Sequence, residues 1–207
     1  MRMRKLSEAE RNAVVAAIRE AEQGTSAEFV AVVARRIDRH HGVSLALGLA
    51  AALLAGIAIA GLDPWASAWK ALAAQCVAFA VFYLCADLTP MAARLAPRPM
   101  RAAKARRLAH LLFLDRGLAG LPAHNGVLLL VALAEQQVEI VADHAIDKLA
   151  GGEAWSAVVR SFAKRAKTGE VGAALVAALK ELGAVMAQHF PPEAGQANRV
   201  PDRLIEL

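Results

Sequence analysis

Two long apolar runs separated by one short turn constrain this chain more than any other feature. Val43 to Leu62 reads VSLALGLAAALLAGIAIAGL without a charge. Ala71 to Leu88 reads ALAAQCVAFAVFYLCADL, with Gln75 and Asp87 as its polar members. At 1.5 Å rise per residue, a helix of about 20 residues crosses a hydrocarbon core of roughly 30 Å. Asp63-Pro64 supplies a turn between the runs, and Trp65 and Trp69 are the residue type that settles at a membrane interface. The alternative is a helical hairpin buried in a soluble protein. Spanning-length runs joined by a tight Trp-bearing turn fit a bilayer better. The reading is a hairpin over residues 40–90, with spans at 43–62 and 71–88 and Asp87 within reach of headgroups. These runs hold much of the 57% hydrophobic content and the mean hydropathy of +0.38 over 207 residues. The first run starts too late and is too long for a secretory signal, and Glu8, Glu10, Glu20 and Glu22 make the N-terminus too acidic for a transit peptide.

Charge gives the hairpin a direction. Arg35, Arg36 and Arg39 precede the first span, and Arg94, Arg98, Arg101, Lys104, Arg106 and Arg107 follow the second. The connecting loop holds Lys70 against Asp63. The positive-inside rule therefore predicts both termini on the cytoplasmic side. The net charge of +5 and the pI near 9.6 read as anchoring rather than as a nucleic-acid footprint, since no zinc-finger or RNP motif accompanies them. Arg101, Lys104 and Arg107 predict a basic helix facing lipid, and a weaker reading makes that helix a sensor of anionic lipid. Cys76 and Cys85 stand nine residues apart in one helix, on opposite faces and out of disulfide reach.

On both sides of the hairpin the sequence alternates helix and strand. Ser7 and Glu10 form a capping box ahead of Val14, Val15, Ile18 and Ala21, with Gly24 as the stop. Residues 27–34 read as a strand. Pro97 and Pro99 break the chain before a basic helix from about Met100 to Leu114. Asn125-Gly126 turns into Val127–Leu133, an all-apolar run suited to a central strand covered on both faces. Gln136-Gln137 turns into Val138–Val141. Two amphipathic helices follow, one carrying Trp155, Val158, Val159, Phe162 and Ala166, the other Val171, Leu175, Leu179, Leu182 and Met186. The expected organisation is an α/β domain split into 1–39 and 91–190 by the inserted hairpin, with a flexible tail over 191–207.

These segments resemble the TPM domain family, named for thylakoid lumen, photosystem II repair and receptor-modulator proteins. The resemblance rests on Glu22-Gln23-Gly24-Thr25-Ser26-Ala27-Glu28-Phe29-Val30-Ala31-Val32-Val33 and on Asn125-Gly126-Val127-Leu128-Leu129-Leu130-Val131 running to Val138-Glu139-Ile140-Val141-Ala142-Asp143. It covers the chain outside the hairpin and the tails, and is nearest to a bacterial membrane-anchored branch. It implies an α/β/α sandwich, here interrupted by the two-helix hairpin, in a bacterial inner membrane. It also implies either an accessory role in assembling or maintaining membrane proteins or an acidic-site phosphatase using Ca or Mg. The pattern departs at Phe113-Leu114-Asp115-Arg116-Gly117-Leu118, where a Trp-Ile-Gly element is usual, and at His144-Ala145-Ile146-Asp147, where a Gly-rich stretch is usual.

His124, Asn125, Asp143 and Asp147 form the best polar constellation. If residues 136–137 turn, Asp143 leaves its strand at the edge where His124 and Asn125 enter theirs. Two carboxylates, an imidazole and an amide oxygen suit a hard divalent cation that orients phosphate. The structural alternative makes Asn125 a turn residue and Asp143 a helix cap. His40-His41 beside Asp38 reads as an interfacial cluster. No nucleophile elbow and no Gly-rich phosphate loop is present. The expectation is therefore a non-catalytic interaction module with a membrane-protein partner, no nucleic acid, no assigned catalytic residue and no assigned oligomeric state.

Overall fold

The structure, a computed structural model, describes residues 6–63, 65–192 and 204–207, without the side chains of residues 145 and 147–151. The described chain forms two compact units. One comprises Met1–Ile37 with Ala102–Leu207, the other Asp38–Arg101.

The first unit is built on a four-stranded mixed sheet. Helix α1 spans Glu8–Gln23 and strand β1 Glu28–Ala34; β2 spans Gly126–Ala132, β3 Gln137–Ala142 and β4 Leu204–Glu206. The strand order is β3-β2-β1-β4. Strand β1 runs parallel to β2 and to β4, and β2 runs antiparallel to β3. Every residue of β1 and β2 is buried, as expected for all-apolar central strands. Alternation of side chains divides the core between two faces. Phe29, Ala31, Val33, Val127, Leu129 and Val131 pack with α1, α6 (His144–Ala166) and α7 (Val171–His189). Val30, Val32, Leu128 and Leu130 pack with Ala109, Leu112 and Phe113 of α5, which spans Arg98–Asp115.

Local chemistry explains the boundaries. Ser7 Oγ accepts from the Glu10 amide at 3.2 Å while Ser7 N donates to Glu10 Oε2 at 2.8 Å, so the capping box forms in full. Gly24 ends α1 in a right-handed conformation (φ −88°), so its role differs from the left-handed stop expected of a glycine at that position. Leu133–Gln136 make the β2–β3 turn, and Gln136 takes φ 54° to close it. The segment that replaces the usual Trp-Ile-Gly element serves the core: Phe113 and Leu118 are buried. A Cβ on Gly126 would lie 3.0 Å from Leu118 Cβ and 3.1 Å from its carbonyl oxygen. That close approach explains the glycine.

One expectation needs correction. The tail over 191–207 ends in structure: Leu204–Glu206 pair with Ala31–Val33 as β4. Residues 193–203 of that segment lie outside the described residues. Three residues are too short a run to read as a strand, and the pairing that makes them one is long-range.

The second unit holds α2 (His41–Leu62), α3 (Ala68–Leu88) and the short α4 (Met91–Leu95). Helices α2 and α3 pack closely where α2 is smallest. A Cβ on Gly48 would meet Phe79 Cδ2 at 2.9 Å, and the space beside Gly56 is filled by the Gln75 side chain. Small residues one helical face apart are the usual device for close approach of apolar helices. Only 11% of each apolar window is buried, and Leu49, Leu53, Leu54, Ile57, Val77 and Val81 face outward. Pro64 lies outside the described residues; Trp65 and Trp69, on the flanks of the turn, are exposed.

Among the described residues, three helices are long and apolar enough to cross a membrane by length and composition: α2, α3 and α7. For α7 half of the window is buried, and its Leu175, Leu179, Leu182 and Met186 sit fully inside the core of the first unit. Its hydropathy is spent on the sheet.

Candidate functional site

The strand edge that carries the candidate site is assembled from three connections. The loop after α1, the residues before β2 and the end of β3 meet there, because Glu28 pairs with Gly126 and Val127 with Ala142. Thr25 Oγ accepts from the Ala27 amide at 3.3 Å and donates to the Phe190 carbonyl at 2.5 Å. The Ser26 amide donates to the same carbonyl at 3.1 Å, which ties the end of α7 to the edge.

His124 and Asp143 come together as the spacing predicts. His124 Nδ1 lies 3.2 Å from Asp143 Oδ2, with side-chain exposures of 62% and 11%. His124 takes φ 49°, a left-handed conformation that turns the chain sharply into β2. Asp143 is also the N-cap of α6: its Oδ1 accepts from the His144 amide at 2.6 Å, and its own amide donates to the Gly126 carbonyl at 3.1 Å. Asn125 is buried. Its Nδ2 donates to the Ser26 carbonyl, and its carbonyl accepts from the Glu28 amide at 3.1 Å, so it pegs the β1 entry to the β2 entry. Asp147 lies in the first turns of α6, and its side chain lies outside the described residues.

Calcium takes six to eight oxygen ligands and magnesium an octahedral set. Here one Asp143 oxygen caps a helix and the other faces His124, while the Asn125 amide nitrogen is spent on Ser26. Among the described residues no group of three or more His, Cys, Asp or Glu side chains is placed to hold a metal ion. The Asn125 amide oxygen is not engaged by the bond to Ser26, and the Asp147 side chain lies outside the described residues. The groove bounded by Ser161, Lys164, Arg165, Thr168 and Glu170, about 540 Å³, contains none of the four candidate residues.

The basic helix also differs in part from expectation. Arg107 is exposed and Lys104 half-buried, but Arg101 is buried at 9% exposure, which removes it from a lipid-facing set. Arg106 turns to the sheet and approaches Glu139 Oε2 at 3.7 Å. Burial pushes the Glu139 carboxyl above its ordinary value, opposed by the Arg106 charge and hydrogen bond and by His110.

Two polar features escaped the sequence reading. Glu135, in the β2–β3 turn, is fully buried and accepts from the Ile37 amide at 3.1 Å. In the second unit Asp87 is buried, with Oδ1 2.8 Å from His41 Nδ1 and Oδ2 3.8 Å from an Arg39 guanidinium nitrogen. Asp87 thus binds the start of α2 rather than facing outward, and His41 belongs to that pair. The one signal was position: Asp87 and His41 stand at the same end of an antiparallel hairpin. Cys76 and Cys85 are free thiols.

Comparison with known proteins agrees with the resemblance read from the sequence. Residues 100–185 match the model of the TPM domain, described as TPM_phosphatase. The structure is similar to the NMR structure of the BA42 protein from the psychrophilic bacterium Bizionia argentinensis, with a TM-score of 0.61 at 17% identity, covering 99% of this chain and 97% of that one. No curated protein matches.

Proposed function

We propose that this chain, which matches the TPM domain over residues 100–185, is a membrane-anchored, non-catalytic module that docks another membrane protein during assembly or maintenance. The observation that carries the anchoring is the outward apolar surface of α2 and α3, only 11% buried in each spanning window. Leaving such a surface in water costs roughly 25 cal/mol per Å², so it needs a bilayer around it. Trp65 and Trp69 then sit at the far interface, and the flanking arginines hold both termini in the cytoplasm beneath a bacterial inner membrane. The non-catalytic part of the reading is supported by the candidate edge, where Asn125 and Asp143 make hydrogen bonds within the fold.

A second reading, divalent-metal-dependent phosphate-ester hydrolysis, is favoured by the contact between His124 and Asp143. One experiment separates the two. Solubilised in a mild detergent, the intact chain is expected to co-migrate with a larger membrane assembly on native gels and to leave a generic phosphate ester intact with Mg or Ca. Migration alone, together with cation-dependent hydrolysis that disappears in Asp143→Asn, would overturn the docking proposal. Arg107 and Lys104 leave room for an anionic-lipid contact, whose signature is vesicle binding that weakens with salt.

A further inference from the structure

The edge of β1 is the most unusual surface of the first unit. Strand β1 is buried along its whole length, and among the described residues its outer edge is paired with Leu204–Glu206, which lie 170 positions and more away in sequence. Their hold is a short parallel ladder. It is extended by Leu207, whose amide donates to the Val33 carbonyl at 3.0 Å and whose carbonyl accepts from the Arg35 amide at 2.8 Å. Side chains then alternate across the sheet. Leu204 packs against the core on the α1 side and Ile205 against the core on the α5 side. Glu206 is back on the α1 side, where Arg11 Nε and a second guanidinium nitrogen grip its two oxygens at 2.6 and 3.1 Å. All three β4 residues are half-buried.

Resting on the partner-docking reading, we propose that this edge is a binding site for an extended peptide of a partner protein, added to β1 as a parallel strand with the pattern apolar–apolar–acidic–apolar. The chain's own Leu204-Ile205-Glu206-Leu207 is the occupant in cis and keeps the edge covered until a partner segment replaces it. Strand addition takes affinity from main-chain hydrogen bonds and selectivity from alternate side chains. Both parts are present: an unbranched ladder on Val33 and Arg35, and a guanidinium fork that recognises a carboxylate bidentately. An uncovered β1 edge would be a template for aggregation, which gives the cis occupant its second purpose. Tethering raises the local concentration of the tail, so the partner must compete against an intramolecular strand.

The test uses the chain in detergent micelles and a fluorescein-labelled peptide of residues 203–207, read by anisotropy. A chain ending at Asp202 is expected to bind at least tenfold more tightly than the intact chain. N-methylation of the Leu207 nitrogen, or Glu206→Lys in the peptide, is expected to lower binding at least tenfold. Arg11→Glu in the shortened chain should invert the preference, so that the Lys peptide binds better than the Glu peptide. Should the shortened chain fail to fold, the full-length Glu206→Lys chain, whose tail repels Arg11, takes its place with the same expectations. Equal binding by intact and opened chains, or indifference to the carboxylate and the amide, would overturn the site. So would a concentration-dependent dimer lost on shortening, which would make the occupant a second copy. A chain that co-migrates with its membrane assembly equally well with and without Arg11 would refute this site and leave the docking proposal standing.

Discussion

Asn125→Ala tests whether the polar edge is a structural joint. Asn125 is 3% exposed, and its amide donates to the carbonyl of Ser26, itself buried. Truncation removes that donor from a buried carbonyl. A buried acceptor stranded in this way costs about 1–3 kcal/mol. Taking about 2 kcal/mol, and a urea slope of about 2 kcal/mol per M, the unfolding midpoint of the first unit should fall by about 1 M. Asn125→Asp keeps the shape but sets a carboxylate against a carbonyl. At neutral pH it should cost more than the alanine, because the buried charge is repelled as well as unpaired. The sign with pH follows from the proton. Once protonated, the introduced carboxyl can donate to Ser26, so the deficit of Asn125→Asp shrinks as pH falls through the raised value of that group. The alanine deficit should be flat over the same range. Pulse proteolysis in urea on the detergent-solubilised chain reads both. An Asn125→Ala midpoint within 0.2 M of wild type, on the order of a few tenths of a kcal/mol at that slope, would refute the joint.

Two further outcomes follow from particular contacts. Burial dominates at Glu139 and raises its carboxyl above 4.5, so its contribution to stability is full below the unfolded value and is lost as pH rises through the folded one. Wild type minus Glu139→Gln should therefore favour wild type more at pH 4 than at pH 7, and an opposite slope in urea titrations would contradict it. Gly48→Leu puts a branched side chain where a Cβ already meets Phe79 Cδ2 at 2.9 Å and its backbone oxygen at 3.2 Å. Overpacking of that kind costs about 1–3 kcal/mol, so the aggregation temperature in detergent should drop by several degrees, whereas Gly61→Leu, with nothing within 4 Å, should leave it unchanged.

What could be read from the sequence was whatever depends on local pattern. The capping box at Ser7 and Glu10, the all-apolar β2 and the amphipathic stripe of α7 each carry their signal within a few residues. Position along the strands also sufficed to bring His124 beside Asp143. The failures share one cause: they depend on partners distant in sequence. Leu204–Glu206 is a strand because the β1 edge is open, a fact that no three-residue window contains. Arg101 looks like its basic neighbours but is buried, and Asp87 looks like an interfacial carboxylate but meets His41. Asn125 fits a ligand set by residue type; its bond to Ser26, 99 positions away, makes it a peg.

Protease accessibility in membrane vesicles tests most directly the proposed anchoring, a cytoplasm-facing α/β domain held by a two-span hairpin. In sealed inverted inner-membrane vesicles, trypsin is expected to digest the segments outside α2 and α3 and to leave a protected fragment containing both helices. In right-side-out vesicles the domain is expected to stay intact, and alkaline carbonate should leave the chain in the membrane in both. A domain protected in inverted vesicles and digested in right-side-out ones would reverse the orientation, and release by carbonate would remove the hairpin from the bilayer altogether.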